Sequence, residues 1–315
     1  MRLIIPISLV LLVSCKRPDF SLGYSGFEDA NFELPFSVNE PSNTWHMPKS
    51  LVEISGVTIL DNGQFATVND EKGVIYVLNN AGTIDSKIDF AKDDDYEGIV
   101  HHEGHLYVGE SNGNIKVVNV NSKEKVAEYK TFLSRRNNVE GLAIDAKNNK
   151  LLLACKGKTE KKSNKNKRAI YTFDLQSKKL DKEPWLLLDI GKEIKSLKKS
   201  TIITNRLVNM TISLRLSAFA PSGIGIDPLT DDVYILSSRG NVLVVLDYRK
   251  NIKGIYLLPR RVYGQPEGLC FDKQGNLYIS NEGKSTKPNI LKMNRTKSTD
   301  EILSKKLPNH PLKLH

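Results

Sequence analysis

Five short motifs contain the residues of this chain that are best suited to chemistry. In each motif a serine or glutamate precedes a glycine, and an aliphatic residue follows the glycine. The motifs are ISGV (54–57), YEGI (96–99), VEGL (139–142), PSGI (221–224) and PEGL (266–269). The residues before the glycines are Ser55, Glu97, Glu140, Ser222 and Glu267. If the fold brings these positions together, three carboxylates and two hydroxyls share one site.

Three carboxylates at one site repel one another strongly. At about 5 Å and an effective dielectric of about 20, each pair costs roughly 3 kcal/mol, so the group must bind a cation, keep protons, or be neutralised by Lys or Arg. Oxygen ligands without His or Cys favour a hard ion, and calcium accepts irregular coordination. We therefore predict a calcium site at Glu97, Glu140 and Glu267. The alternative is structural: the acids bond backbone amides, and the glycines let neighbouring strands pack closely.

Further acids close the strand that follows three of the motifs. These acids are Asp70, Glu110 and Glu282, whereas the other two repeats have Lys156 and Ser238 or Arg239 nearby. With Ser55 and Ser222, they are candidates for additional positions in the ring or on its rim. A rim of mixed charge would suit a polar ligand, but ordinary turn residues would give the same pattern.

The motifs recur at the interval of a propeller blade. Their glycines are 42, 43, 82 and 45 residues apart. Each motif begins a series of short β-rich runs, and a four-stranded unit of about 40–45 residues is typical of a β-propeller blade. The interval of 82 residues fits one blade with two insertions, a lysine-rich segment and residues 190–220. We therefore predict an all-β, five-bladed propeller, with six blades as the alternative.

The two ends of the chain are expected to meet in one blade. The run TWHMP (44–48) precedes the first motif at nearly the offset at which an outer strand precedes the last. We predict that it closes the ring behind the run NILKM (289–293), which would cover open strand edges. The propeller would then span residues 44–295, followed by a basic C-terminal tail at 296–315.

The first fifteen residues predict a lipid anchor. One basic residue precedes the apolar run Leu3–Val13, which is too short to span a bilayer but typical of a secretory signal. The run ends in LVSC, which resembles the lipobox of bacterial lipoproteins, although a plain secretion signal is the alternative. We predict a signal peptide at 1–14, an acylated Cys15 in the lipid bilayer, and a flexible tether at 15–43. The protein would lie in the cell envelope, on the inner or outer membrane, with its propeller in the periplasm.

The positive charge of the chain is local. The net charge of +10 comes from 46 Lys and Arg against 36 Asp and Glu, and much of it lies in Lys156–Arg168 and the last twenty residues. No basic stripe is interleaved with aromatic residues, so we predict no nucleic-acid partner. The segment Lys156–Arg168 is either a solvated hairpin loop or a contact with anionic lipid.

Two other features have ordinary structural interpretations. The run HHEGH (101–105) resembles a metal motif, but Leu106 stands where a zinc-protease motif needs its second His, and the run fits a hairpin turn. Cys155 and Cys270 lie in apolar runs, and we predict that no disulfide joins them.

The order SG, EG, EG, SG, EG and the long gap before the fourth motif resemble the SdiA-regulated (YjiK-like) family of bacterial envelope proteins. The resemblance covers about Leu51–Met293. It implies a five-bladed propeller akin to NHL-type propellers, with calcium in the ring and no established catalytic activity. The preferred hypothesis is a binding or scaffold module for an unknown polar ligand or envelope protein. The alternative is a calcium-dependent hydrolase of phosphoesterase or lactonase type, which would need a base or a His near the metal.

Overall fold

The structure is a computed structural model that describes residues 25–28, 32–159, 167–189, 191–192, 206–284 and 286–296. The described residues form five antiparallel sheets, which are the five blades of a β-propeller. The prediction of five blades is therefore confirmed, and the alternative of six is wrong. The described part of residues 190–220 contributes a helix and no strand.

The strands follow the order of the chain. Two N-terminal strands come first, β1 (Ser25–Glu28) and β2 (Asn43–His46). Blade 1 contains β3 (Ile54–Ile59), β4 (Phe65–Asn69), β5 (Lys72–Leu78) and β6 (Ile84–Asp89). Blade 2 contains β7 (Tyr96–His102), β8 (His105–Glu110), β9 (Ile115–Asn119) and β10 (Lys125–Tyr129). Blade 3 contains β11 (Val139–Asp145), β12 (Lys150–Cys155), β13 (Arg168–Asp174), β14 (Lys179–Leu180) and β15 (Leu186–Leu188).

The remaining elements complete the ring. Helix α1 (Arg206–Ser217) precedes blade 4, and a short 3-10 helix (Lys49–Leu51) precedes blade 1. Blade 4 contains β16 (Gly223–Ile226), β17 (Val233–Ser237), β18 (Val242–Leu246) and β19 (Ile252–Leu257). Blade 5 contains β20 (Pro266–Phe271), β21 (Leu277–Asn281) and β22 (Asn289–Met293).

The N-terminal strand closes the propeller as predicted. Strand β2 pairs antiparallel with β22, from Asn43 opposite Lys292 to His46 opposite Asn289. Trp45 lies on this strand, where its ring stacks 6.2 Å from that of Tyr278 and its indole nitrogen donates to the Asn80 carbonyl of blade 1. The pairing therefore joins the last blade to the first, and blade 5 gains its fourth strand.

A second N-terminal strand was not predicted. Strand β1 pairs with β19 as a fifth strand of blade 4, and Phe36 and Val38 are buried between blades 4 and 5. Phe36 also bridges to Arg295, whose guanidinium forms a buried ion pair with Asp227. These residues of the segment 15–43 pack against the propeller, although the sequence suggested a flexible tether there. Cys15 and the C-terminal residues 297–315 lie outside the described residues.

The hydrophobic core is divided among the blades. Five clusters of buried aliphatic and aromatic side chains each fill the space between two neighbouring blades, and the cluster between blades 3 and 4 also includes Leu216 of α1. No disulfide forms among the described residues, and Cys155 is buried within one of these clusters. The ring is therefore stabilised by contacts between successive blades.

The innermost strands of the five blades surround a central channel, and the two ends of this channel differ. β3, β7, β11, β16 and β20 neighbour one another in a closed ring. We call the end where they begin the glutamate face, defined by Glu97, Glu140 and Glu267, and the end where they finish the cavity face. Because strands alternate in direction, the turns between second and third strands and the connections between blades lie on the glutamate face. Helix α1, which lies in the connection between blades 3 and 4, therefore belongs to that face.

The motif glycines mark the closest approach of the inner strands. A Cβ on Gly98 would lie 2.6 Å from the Cβ of Leu142 and 2.9 Å from its backbone nitrogen. The same is true around the ring, since added Cβ atoms would come within 3.0 Å of the neighbouring blade at Gly56, Gly141, Gly223 and Gly268. The repeated glycine is thus a packing requirement of the channel wall.

We expect Gly98→Ala to destabilise the fold by about 1–3 kcal/mol, because the new methyl group would push β7 away from β11. Gly109→Ala is the matched control, since it lies in the same blade and its Cβ would meet nothing closer than 3.8 Å. Urea unfolding of the two variants would measure the difference. Equal losses of unfolding free energy would contradict the packing role.

Candidate functional site

The three predicted glutamates meet on the channel axis. Glu97, Glu140 and Glu267 line a small cavity of about 10 Å³ together with the five motif glycines. A volume of this size holds about one water molecule or one ion. The structure therefore brings the carboxylates together at one end of the channel.

The two serines at the equivalent positions connect blades. The Ser55 hydroxyl lies 2.7 Å from the Glu97 carbonyl and 2.9 Å from a Glu97 carboxylate oxygen. The Ser222 hydroxyl donates to the Pro266 carbonyl at 2.8 Å and accepts from the Ser238 amide. Both serines are buried, so their hydroxyls join neighbouring blades.

A lysine enters the ring of acids. The Lys156 ammonium lies 2.9 Å from both carboxylate oxygens of Glu140, and the Asn138 amide donates to the same carboxylate. Burial works to lower the pKa of Lys156, but attraction to Glu140 outweighs it and the pKa is raised. Lys156 is therefore protonated and neutralises one of the three acids.

The other two acids have no such partner. Burial, and after it the charge of the nearby Glu140, raises the pKa of Glu97 to about 10. Burial also raises the pKa of Glu267 to about 8, against the opposing attraction of Lys156. Gln265 donates to Glu267 and to Glu282, but it carries no charge. Without a further cation, the ring is relieved of charge by protons on Glu97 and Glu267.

The arrangement of acids alone does not form a ready metal centre. Within the described residues, no group of three or more His, Cys, Asp or Glu side chains is placed to hold a metal ion. Glu140 is paired with Lys156, so Glu97 and Glu267 are the carboxyl groups of this cavity that have no ion pair among the described residues.

The second set of acids surrounds the same end of the channel. Asp70, Glu110 and Glu282 follow or end the second strands of their blades, which finish on the glutamate face. Glu110 pairs with Lys116 at 3.0 Å, and Lys284 links Glu282 at 3.3 Å to Glu53. One oxygen of Asp70 is buried without a hydrogen-bond partner, and burial raises its pKa to about 7, helped by Glu53.

A much larger cavity opens at the other end of the channel. Its volume is about 620 Å³, and all five inner strands contribute their final residues to its walls. The apolar lining residues include Ile59, Val100, Ile144, Ile226 and Phe271, and the polar ones include Asp61, His101, Asp272 and Lys273. The sequence analysis did not identify this cavity, because the residues that form it share no repeated motif.

An apolar layer separates the two ends. Leu142, Ile224 and Leu269 line both cavities, so they lie between the glutamates and the large cavity. Each of them directly follows a motif glycine, as do Val57 and Ile99 in blades 1 and 2. The motif therefore supplies an acid or serine to one face and an apolar plug directly beneath it.

Three of the histidines lie at the cavity face. His101 and His102 end β7, Glu103 and Gly104 form the turn with positive φ, and His105 begins β8, so the hairpin prediction is confirmed. His101 is four residues from Glu97, which is about 13 Å along a strand. Burial lowers the pKa of His101, against an opposing effect of Asp61. None of these three His side chains is brought to the glutamates.

Lys156 is the site residue whose role the sequence analysis missed. It stands directly after the second strand of blade 3, where the other blades have Asp70, Glu110 and Glu282. A lysine in a position that is acidic in three other blades was the signal that could have identified it. The sequence predicts Lys156 on the rim of the ring of acids, whereas its ammonium group reaches inward and pairs with Glu140.

The solved structures that resemble this chain share only its general form. Hydrazine synthase of Kuenenia stuttgartiensis is 12% identical with a TM-score of 0.48, covering 78% of this chain and 84% of its own. A gluconolactonase of Xanthomonas campestris is 10% identical with a TM-score of 0.48, covering 76% and 72%. A streptogramin B lyase is 16% identical with a TM-score of 0.42, covering 79% and 68%. At this level of similarity, none of them supports an argument about function.

Sequence comparison identifies the family. No curated protein resembles the chain closely enough to count as a relative. The SdiA-regulated family, in contrast, matches residues 47–290, which is nearly the whole propeller and includes all five motifs. The chain therefore belongs to the SdiA-regulated family.

Proposed function

We propose that this protein is a lipid-anchored propeller of the bacterial cell envelope that binds a small ligand at its cavity face. The observation that supports this proposal is the cavity of about 620 Å³, which is open to solvent and lined by all five blades. A volume of this size is typical of small-molecule sites, which combine apolar walls with a few polar groups.

The lining of the cavity indicates the kind of ligand. The walls are aliphatic and aromatic, with Phe65, Trp45 and Tyr278 packed against one another at one side. Polar groups stand at the rim, where Asp61 pairs with Lys273 at 3.0 Å and lies 3.8 Å from His101. We infer a small molecule with an apolar body and hydrogen-bonding groups at one end.

The hydrolase hypothesis finds no support in this geometry. A metal at the glutamates would lie behind the layer of Leu142, Ile224 and Leu269, away from the large cavity. His101, His102 and His105, which could act as a base, lie at the opposite face. The site therefore favours binding over metal-assisted catalysis.

Membrane attachment is proposed from the sequence. The apolar run and Cys15 lie outside the described residues, and no helix within the described ranges has the length and hydropathy of a transmembrane span. An acylated Cys15 would place the propeller beside the inner or outer membrane, in the periplasm. Multiple acyl chains on one cysteine would give stable anchoring.

Calcium is proposed as a structural ion of the glutamate face. Its chemistry fits Glu97 and Glu267, since two buried carboxylates without a cationic partner of their own supply two hard, charged donors. Calcium would take the place of the protons on these acids, with water and neutral oxygens completing its coordination. Lys156 would compete with the ion, because it already neutralises Glu140.

The ligand site can be tested by filling the cavity. We expect native mass spectrometry of the protein extracted from envelopes to detect a small bound molecule in the wild type and none in Ile226→Trp, whose ring would occupy the cavity. Val126→Trp is the matched control, because Val126 is 53% exposed on the outer strand of blade 2. Equal retention in both variants, or no bound molecule in the wild type, would count against the proposal.

Calcium should raise the thermal unfolding midpoint of the wild type, because it would bind only the folded ring. Glu97→Gln should abolish this rise, and Lys156→Met should tighten calcium binding about tenfold by freeing Glu140. Exposed Glu71→Gln serves as the control. A thermal unfolding midpoint that calcium does not change, in both the wild type and Lys156→Met, would refute the site.

The ring also predicts a pH dependence in the presence of chelator. The pKa of Glu97 rises from 4.5 to about 10 on folding, so between pH 5 and 8 the folded state holds a proton that the unfolded state has lost. Stability from this group therefore falls as pH rises through that window. Glu97→Gln cannot titrate, so it should not lose this stability. Urea unfolding at pH 5 and pH 8 should show that the free energy of unfolding of the variant, relative to that of the wild type, is higher at pH 8. A constant difference between the two proteins would show that Glu97 does not titrate in this way.

A further inference from the structure

Helix α1 presents two apolar side chains to solvent. Met210 is 56% exposed and Leu214 is 62% exposed, more than any other large hydrophobic side chain among the described residues. They are four residues apart, so they lie one turn from each other on the same side of the helix. Leu216 is buried on the other side, against blades 3 and 4.

The helix is fixed to the glutamate face of blade 4. The Arg215 guanidinium donates to the carbonyls of Asn241 and Leu258 at 2.7 Å each, and also to the Gly240 carbonyl. Gly240 and Asn241 form the turn before β18, and Leu258 follows the end of β19. Met210 and Leu214 therefore lie on the outward side of a helix that is held in a defined place.

Positively charged side chains lie beside the helix on the glutamate face. Arg239, Arg260 and Arg261 are exposed, and none of them belongs to an ion pair with another described residue. Burial, and after it the charge of the neighbouring Arg260, lowers the pKa of Arg215 to about 10. Burial and then the charge of Arg239 likewise lower the pKa of Arg168. Arg260 and Arg215, and likewise Arg239 and Arg168, therefore repel each other.

The position of the N-terminal strand indicates what covers this surface. Ser25 of β1 pairs with Tyr256, near the end of β19 that leads to Arg260. Ten residues separate Ser25 from Cys15, and a chain of this length reaches at most about 36 Å. The proposed lipid anchor would therefore hold blade 4, and with it the basic and apolar side chains, next to a membrane surface.

We propose that Met210, Leu214, Arg239, Arg260 and Arg261, the α1 patch, rest on the headgroups of an anionic lipid bilayer. Exposed apolar side chains beside cationic ones are the combination that binds the interface of such a bilayer. The proposal rests on the lipid anchor of the proposed function and adds an orientation to it. The glutamate face is turned toward the membrane, and the ligand cavity opens away from it.

The test measures the patch without the anchor. A chain that begins at Lys16 keeps every described residue, and it is mixed with vesicles of phosphatidylcholine or of phosphatidylcholine with about 30% phosphatidylglycerol. The chain should float with the anionic vesicles, and less so at high salt. Arg239→Glu with Arg260→Glu should weaken partitioning by about tenfold or more.

Two further variants make the result specific. Lys147→Glu with Lys273→Glu causes the same change of net charge on the cavity face, where both lysines are exposed, and should leave partitioning unchanged. Met210→Ser with Leu214→Ser keeps the charge and should also weaken partitioning, with the thermal unfolding midpoint checked for each protein. Equal binding to neutral and anionic vesicles, or equal loss in the arginine and lysine variants, would overturn the proposal.

A separate measurement isolates the anchor. The full chain and Cys15→Ala are grown with an alkyne-bearing fatty acid, and the label should appear in the wild type alone. An unlabelled wild type would refute the lipid anchor, whatever the vesicles show. Labelled wild type with no binding of the Lys16 chain to anionic vesicles would refute the α1 patch and leave the anchor standing.

Discussion

The close approach of the five inner strands is the constraint on which the rest of the structure depends. At each motif the neighbouring backbone comes within 3.0 Å of where a Cβ would stand, so only glycine fits. The residues before and after the glycine then lie at different depths of the channel and have different roles. The preceding residue lines the glutamate face, and the following one, such as Leu142, plugs the channel beneath it. A single packing requirement thus places both the acids and the barrier that isolates them.

The negative charge of the acids that this geometry brings together is only partly neutralised by the described basic side chains. Lys156 neutralises Glu140, while Glu97 and Glu267 keep raised pKa values because they are buried beside like charge. Protons or a divalent cation can relieve the remaining charge, and both would act on the same two side chains. Serine at the other two positions adds no further negative charge, and the hydroxyls of Ser55 and Ser222 form hydrogen bonds to neighbouring blades. The two serines therefore limit the negative charge of the ring and, at the same time, connect neighbouring blades.

The features that the sequence predicts are those that repeat. Five blades, the closing strand β2 and the convergence of the three glutamates all follow from motifs with a regular interval. Strand β1 could not be found in this way, because it adds to the edge of β19 by pairing between segments distant in the chain. Its surroundings, rich in Gly, Ser, Asn and Pro, resemble a tether. The large cavity was missed for a similar reason, since its lining comes from strand ends that differ in every blade.

The separation of the two faces limits what the calcium proposal can mean for function. A metal acts on a substrate only if the substrate can reach it, and Leu142, Ile224 and Leu269 lie between the large cavity and the glutamates. About 13 Å of strand also separates Glu97 from His101, so acid and base groups do not converge. An ion in the ring would stabilise the packing of blades, while ligand recognition would take place at the other end. With the anchor and the α1 patch on the glutamate face, the propeller would keep its structural charge near the membrane and offer its ligand cavity to the surrounding space.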